Sequence, residues 1–189
     1  MKWIAVLPLL ASVSCSAVSD QARGNLTGAA YPNRATFYLG GRKLDEGDWN
    51  PVEEQGVFGA EFARCEKTVG WEVGVLGSAD ETKIGGVNSE GRTSELYGGL
   101  RFEFGDSLVR PYIGVGATAI SMKLDVDSVG DDDDGTLGAY VHGGITIDVT
   151  PRVYIGLDAR GVVGSEVRVL GVDRDVDYGQ LALALGFAF

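Results

Sequence analysis

The amino-acid sequence predicts an all-β fold, an eight-stranded antiparallel up-and-down transmembrane β-barrel. Three observations predict it. Large apolar residues recur at every second position along most of the chain, charged residues of both signs occupy many positions between them, and the connections alternate between long and short. Residues two apart share a face of a β-strand, so each segment forms a ribbon that is apolar on one side only.

The C-terminal segment shows the alternation most clearly. Leu181, Leu183, Leu185, Phe187 and Phe189 fall on one face, and glutamine, alanine and glycine fall on the other. A helix would mix these two sets on every face. The same alternation recurs upstream, and the pattern predicts strands at 34–42, 56–64, 69–77, 94–104, 109–121, 136–149, 153–164 and 178–189.

The polar faces of the predicted strands carry residues that can pair with one another. They include Tyr38, Arg42, Glu61, Glu72, Arg101, Glu103, Tyr112, Tyr140, His142, Asp148, Asp158, Arg160 and Gln180. The opposite faces hold almost no charge, which is the reverse of a water-soluble carrier barrel such as a lipocalin. A barrel of about eight strands has a lumen that side chains just fill, so we expect ion pairs inside and lipid outside.

The connections indicate which membrane the barrel crosses. Outer-membrane barrels have short periplasmic turns and longer external loops. The long connections are predicted at 43–55, 78–93, 122–135 and 165–177, and the short ones at 65–68, 105–107 and 150–152. Aromatic residues near the short turns predict an interfacial girdle. The girdle would contain Phe37, Phe62, Trp71, Phe102, Phe104, Tyr112, Tyr154, Phe187 and Phe189.

The N-terminus has the anatomy of a secretory signal peptide. A basic start, an apolar run over 3–13 and small residues over 14–17 predict a cleaved signal at 1–17. A short periplasmic segment at 18–33 and the barrel domain at 34–189 would then form the mature chain. Lipidation of Cys15 stays open, although Ser12 departs from the usual lipobox. If Cys15 leaves with the signal, Cys65 is the single remaining thiol, and no intramolecular disulfide can form.

Composition excludes several other classes of protein. The chain has 189 residues, which suits one domain, and its 29 glycines are scattered without a collagen period. No apolar run reaches the roughly 20 residues that a membrane helix needs. The formal net charge of −11 argues against a nucleic-acid partner, because such binding requires a basic surface.

Three segments resemble the outer-membrane β-barrel families typified by the OmpA transmembrane domain, the OmpX-type barrels and the opacity porins. They are Val-Arg-Pro-Tyr-Ile-Gly-Val-Gly at 109–116, the stretch at 148–158, and Leu-Gly-Phe-Ala-Phe at 185–189. The resemblance covers about 34–189 and implies an exported, eight-stranded barrel of the outer membrane. It also implies that the strand ending in Phe189 is read by the barrel-insertion machinery. We expect no counterpart of the OmpA family's peptidoglycan-binding domain.

Single residues suggest chemistry only weakly. Some eight-stranded barrels are lipid A-modifying enzymes, which need a histidine base beside a nucleophile. His142 is the one histidine, but Gly144 stands where the deacylase pattern has serine, so interior packing is favoured. The acidic run 131–134 is expected to form a solvated, disordered loop rather than a cation site. The residues 173–177 resemble the start of a calcium loop, but Tyr178 replaces its glycine.

The sequence therefore predicts a small outer-membrane barrel with a structural or surface-interaction role and acidic external loops. Its expected partners are outer-membrane lipid, lipopolysaccharide and the insertion machinery, and we assign no catalytic residue, metal site or cofactor. A narrow porin-like channel is the first alternative, and a lipid A-modifying enzyme is the second. The oligomeric state stays open.

Overall fold

Ten β-strands account for nearly all of the chain that the computed structural model describes, which is residues 31–44, 54–84, 87–126, 130–169, 172–175 and 177–189. The strands are β1 (Asn33–Leu44), β2 (Glu54–Glu66), β3 (Val69–Ile84), β4 (Val87–Glu103), β5 (Val109–Val126), β6 (Gly130–Asp148), β7 (Val153–Val163), β8 (Glu166–Val169), β9 (Val172–Asp175) and β10 (Tyr178–Ala188). Within these ranges, no helix has the length and apolar character to span a membrane.

Eight of the strands close into an antiparallel barrel, in the order β1-β10-β7-β6-β5-β4-β3-β2. Each barrel strand pairs with the next barrel strand along the chain, and β10 seals the barrel against β1. The pairing path that leaves β1 at Leu44 passes through Tyr178 and returns to β1 at Arg34, a shift of ten residues. Such a shift requires strongly tilted strands, in the range of about 35–45° to the barrel axis. The predicted fold class is confirmed.

The two faces of the barrel wall have opposite chemistry. Leu183 and Phe37 on the outer face are 64% and 63% exposed, whereas Glu61 and Arg101 on the inner face are 3% and 2% exposed. All thirteen residues predicted for the inner face are buried. A water-soluble domain places its charges outside, so this wall is built for an apolar solvent.

Three of the four segments predicted to be long connections contain paired strands. The β3–β4 pairing continues to Ile84 and Val87, and β5 pairs with β6 as far as Val126 and Gly130. The connection predicted at 165–177 contains the two-stranded sheet of β8 and β9. The backbone of 131–134, predicted to be a disordered loop, therefore lies in β6. Backbone pairing satisfies hydrogen bonds without any apolar alternation, which explains why the sequence pattern did not reveal these extensions.

The short turns lie at the opposite end of the barrel, which we call the turn end. Lys67 adopts a left-handed conformation with φ of 62°, and Gly105 does so with φ of 83°. Glycine has no Cβ penalty in that conformation, whereas lysine does. Cys65, predicted in this turn, is a buried free thiol near the end of β2.

The aromatic girdle is smaller than predicted. Tyr112 and Tyr154 are 3% and 1% exposed and point into the lumen, because they share strand parity with the interior charges. The outward rings include Trp71, which lies 5.4 Å from Phe62 between centroids, and Phe189, which lies 6.2 Å from Phe62. The phenol of Tyr154 instead shares a 2.7 Å hydrogen bond with a threonine inside the lumen.

The structure describes only part of the N-terminal region for which the sequence predicts a signal peptide and a periplasmic segment. The signal at 1–17 and Cys15 lie outside the described residues, as does most of the segment 18–33. Asn33, the last residue of that segment, already belongs to β1 and pairs with Arg64 of β2.

Candidate functional site

The lumen is filled by three clusters of charged side chains, stacked along the barrel. We name them the Glu95 cluster, the Arg101 cluster and the Arg34–Arg110 cluster, the last lying at the turn end. Strand parity brings these residues inside, since they alternate with outward residues, most of which are apolar.

The Glu95 cluster places one carboxylate between two arginines. Arg42 Nη2 lies 3.0 Å from one oxygen of Glu95, and Arg160 Nη2 lies 2.6 Å from the other. The hydroxyl groups of Tyr178 and Thr118 also donate to Glu95, at 2.5 and 2.9 Å. Four donors thus surround a carboxylate that is almost fully buried.

Aromatic rings complete the cluster. The guanidinium of Arg42 lies 3.7 Å above the ring centre of Tyr178. That of Arg160 lies 4.0 Å from the ring of Tyr97 and 4.1 Å from that of Tyr140. A cation over an aromatic face is attracted by the ring quadrupole, and the attraction is stronger where water is excluded. These rings occupy the middle of the lumen and leave the arginines little freedom.

The Arg101 cluster has the opposite composition, one arginine among several acids. Arg101 Nη1 lies 2.8 Å from Glu61 and 3.5 Å from Glu72, and its Nε lies 3.0 Å from Glu103. Its guanidinium also packs 3.8 Å from the ring centre of Tyr112. One planar guanidinium with five donors can serve several acceptors at once.

His142 joins the Arg101 cluster through both ring nitrogens. Its Nε2 lies 2.8 Å from Glu72, and its Nδ1 lies 2.9 Å from Asp158. The same two carboxylate oxygens accept hydrogen bonds from Tyr140 and Tyr112, at 2.7 and 2.6 Å. Neutral imidazole has one donor and one acceptor, so two ionised carboxylates facing both nitrogens require the doubly protonated cation.

The Arg34–Arg110 cluster lies nearest the turns. Arg34 Nη2 lies 2.9 Å from Glu103, and Arg110 Nη2 lies 2.5 Å from Asp148. Glu103 is therefore shared with Arg101, since its other oxygen accepts from the Nε of that residue.

The charges of the described interior balance when His142 carries its proton. Six acids face five arginines and that one histidine. The acids are Glu61, Glu72, Glu95, Glu103, Asp148 and Asp158, and the arginines are Arg34, Arg42, Arg101, Arg110 and Arg160. Burying an unpaired charge is expensive, so a balanced interior is what a lipid-embedded barrel of this width requires.

Glycines opposite tyrosines allow the interior to pack this closely. Gly74 lies directly across from Tyr97 on the next strand, and Gly186 lies directly across from Tyr154. A Cβ at either glycine would overlap the tyrosine ring. The tyrosine rings approach the bare backbone at these glycines, which explains part of the scattered glycine content.

The surroundings of His142 bear on whether the lumen could hold a catalytic or metal site. The contacts of His142 within the described chain are carboxylates and tyrosine rings, with no serine or cysteine nucleophile among them. Ligand atoms of Glu61, Glu72 and His142 lie within 4.8 Å of one another. They are already paired with Arg101 and with each other, so a metal ion would have to displace those partners.

Several interior residues escaped prediction although their strands were predicted. Arg34, Glu95, Tyr97 and Arg110 are buried in the lumen. The signal was present, because Glu95 precedes the outward Leu96 and alternation places it inside. A strict application of strand parity would have found each of them.

Fold and interior define a class of protein, small transmembrane β-barrels with an apolar wall and a lumen lined by paired charged side chains. The chain belongs to the family described as outer membrane protein beta-barrel domain, whose model matches residues 4–189. A comparison with curated proteins found no match.

Solved structures of similar fold include Neisserial surface protein A (14% identity, TM-score 0.64), covering 83% of this chain and 96% of that one. Others are OprG from Pseudomonas aeruginosa (13%, TM-score 0.58, 88% and 98%) and Ail, the attachment invasion locus protein of Yersinia pestis (12%, TM-score 0.57, 83% and 96%). At these identities the likeness concerns the fold alone.

Proposed function

We propose that this barrel is a structural scaffold of the Gram-negative outer membrane that presents its long hairpins for interaction at the cell surface. The observation that carries the proposal is the contrast between the barrel's two parts. The lumen is lined by paired charges, whereas β3–β4 and β5–β6 stay paired as far as Ile84–Val87 and Val126–Gly130, at the end opposite the short turns. Any specific role would then belong to the hairpins.

The location and orientation follow from the same contrast. The apolar wall is placed in the lipid, with the short turns in the periplasm and the hairpins outside. The expected partners are outer-membrane lipid and lipopolysaccharide. The β10 strand closes the barrel, so its alternating residues through Phe189 are the segment that we propose the insertion machinery reads.

A genetic comparison tests the proposed role. The full chain and a variant with 80–91 replaced by a two-residue turn are each expressed in cells lacking the protein. Envelope resistance to detergent and binding to host surfaces are then measured. A surface-interaction role predicts that both chains restore resistance but only the full chain restores binding. If neither measure changes on loss of the protein, the proposal is wrong.

The porin-like alternative is tested by conductance in planar bilayers. Because three clusters of paired side chains occupy the lumen, we expect no discrete conductance steps from the purified chain. The control is a double variant, Arg101→Ala with Glu61→Ala, in which removal of two side chains widens the lumen. Steady, reproducible steps from the unaltered chain would establish a pore instead.

The enzymatic alternative depends on His142. Both of its ring nitrogens are paired with carboxylates, those of Glu72 and Asp158, so neither is available to act as a general base. The imidazole also faces the lumen rather than the lipid. The mass spectrum of lipid A from expressing cells is therefore expected to be the same for the unaltered chain, for His142→Ala and for an empty vector. A change in the acyl groups of lipid A that occurs with the unaltered protein and not with His142→Ala would overturn the non-enzymatic assignment.

A further inference from the structure

A groove crosses the outer face of the barrel wall where β2 to β6 lie side by side. Its volume is about 1390 Å³. A water molecule's share of the liquid is about 30 Å³, so the groove is much larger than a packing gap. Phe58 on β2 and Leu137 on β6 line its two sides, and they are 63% and 75% exposed. The groove therefore faces the medium around the barrel and not the lumen.

The floor of the groove is a row of small residues that pair across four adjacent strands. Gly77 on β3 pairs with Ser94 on β4. Ser121 on β5 pairs with Ser94 on one side and with Gly135 on the other. The ring of Phe58 covers Gly77, since a Cβ there would lie 3.0 Å from the ring. Neighbouring strands lie about 4.8 Å apart, so the row from Phe58 to Gly135 is about 19 Å long, which suits one extended hydrocarbon chain.

The far side of the barrel presents large side chains instead. On β7 and β10, Leu157 pairs directly with Leu183. Both leucines are more than half exposed. This part of the wall has large apolar groups where the groove has serine and glycine, so it provides a control surface within the same molecule.

The groove lies at the edge of the apolar wall that is nearer the hairpins. Val75 on β3, Leu96 on β4 and Leu137 on β6 line it. Among the described side chains, they are the last large apolar outward residues of their strands in that direction. Arg92 lies two positions beyond Ser94 on the same face of β4 and is exposed. A cation at the boundary between an apolar wall and water is placed to meet a phosphate group.

A second copy of this chain fits the groove less well than a lipid does. In a symmetric dimer, the same patch of each chain would face itself. Two facing grooves would leave a space between them, and two copies of Arg92 would be brought to one interface. Shape and charge therefore favour a ligand with an apolar chain and an acidic head.

We propose that the groove binds one lipopolysaccharide molecule through its lipid A, with an acyl chain along the row of small residues and a phosphate on Arg92. The hydroxyl groups of Ser94 and Ser121 can donate hydrogen bonds to ester oxygens at the head of the chain. The choice of lipopolysaccharide over a phospholipid rests on the proposed function, which places the hairpins, and so this edge of the wall, outside the cell. The wall thus holds one lipid at a defined place.

Native mass spectrometry of the purified full chain with added lipid A tests the proposal. One lipid A molecule is expected to stay bound when detergent is removed. Ser121→Phe fills the groove and Arg92→Gln removes the cation, and each is expected to weaken retention about tenfold. The matched controls are Leu183→Phe on the far wall and Arg64→Gln, an exposed arginine at the turn end. Both controls should retain lipid A as the unaltered chain does.

Lipid A without its phosphates separates the two contacts. We expect it to bind the unaltered chain as weakly as intact lipid A binds Arg92→Gln. Each variant is first checked for the heat-dependent gel shift of a closed barrel. If Ser121→Phe does not fold, Ala119→Leu narrows the same groove and should weaken retention in the same way.

Three results would overturn the proposal. One is equal retention of lipid A by the unaltered chain, Ser121→Phe and Arg92→Gln. Another is equal retention of lipid A and phosphatidylethanolamine by the unaltered chain. The third is a dimer that Ser121→Phe dissociates, which would make the groove an interface between copies. None of these results alters the detergent resistance of cells, which tests the scaffold role separately.

Discussion

At the scale of single residues, the lumen is held together by charges that are buried and paired. A buried ion pair contributes little when compared with a well-packed apolar substitute, because desolvation opposes the attraction. Removing one partner is a different matter, since the other charge is then left without compensation. Glu95 is the sharpest case, because one carboxylate serves two arginines.

Glu95→Ala is therefore expected to destabilise the barrel by about 3–5 kcal/mol, measured as the free energy of unfolding in urea. Arg42 and Arg160 would both lose their carboxylate partner inside the lumen. Glu66→Gln is the matched control, since the Arg64–Glu66 pair is largely exposed and its loss should cost less than about 1 kcal/mol. A similar loss of unfolding free energy in the two variants would mean that the interior ion pairs do not stabilise the barrel.

The glycines of β10 offer a second test at this scale. Gly186→Ala places a methyl group in the ring of Tyr154, and overpacking of this kind typically costs about 1–3 kcal/mol. Gly179→Ala on the same strand meets nothing within 4 Å, so it should be neutral or stabilising by up to about 1 kcal/mol. Equal stability of the two variants would contradict the close packing of glycine and tyrosine.

At the scale of elements, each barrel strand is a two-faced ribbon whose outer face is defined by the lipid. Arginine at the middle of that face costs about 2–4 kcal/mol in a membrane barrel, and the cost falls towards the interfaces. Leu183 is the middle residue of β10, and Leu108 lies beside the turn that precedes β5.

We expect Leu183→Arg to reduce the free energy of unfolding in lipid vesicles by about 2–4 kcal/mol. Leu108→Arg should reduce it by no more than about 1 kcal/mol. Both leucines are about half exposed or more, so exposure does not distinguish them. The expected difference between the two variants comes from the depth of each residue in the membrane. A larger loss at Leu108 than at Leu183 would place the membrane elsewhere on the wall.

The elements also show where prediction from sequence succeeds and where it stops. Alternation identified eight barrel strands and the inner face, because lipid outside and ion pairs inside impose a period of two. It stopped at the hairpin ends, where the run 131–134 gives no such signal. It assigned Tyr112 both to the inner face and to the girdle, and Tyr154 to the girdle alone, since an amphipathic ring suits either an interface or a polar lumen. Parity decides between them, and it places both inside.

At the scale of the whole molecule, ion-pair geometry was beyond the reach of the sequence. Parity could place Arg101 and His142 inside, but their partners come from strands that are not their neighbours, Glu61 on β2 for Arg101 and Glu72 on β3 for His142. Those contacts depend on the ten-residue shift of the closed barrel, which no local pattern encodes. The balance of charges is accordingly a property of the assembled lumen.

The most direct test of the central claim, a closed barrel in the outer membrane, is migration on a denaturing gel with and without boiling. Closed barrels keep their backbone pairing in detergent until heated, because every strand has two neighbours. A closed barrel in the outer membrane predicts a heat-dependent shift confined to the outer-membrane fraction. Recovery of the chain in the soluble periplasm, with identical migration before and after boiling, would contradict it.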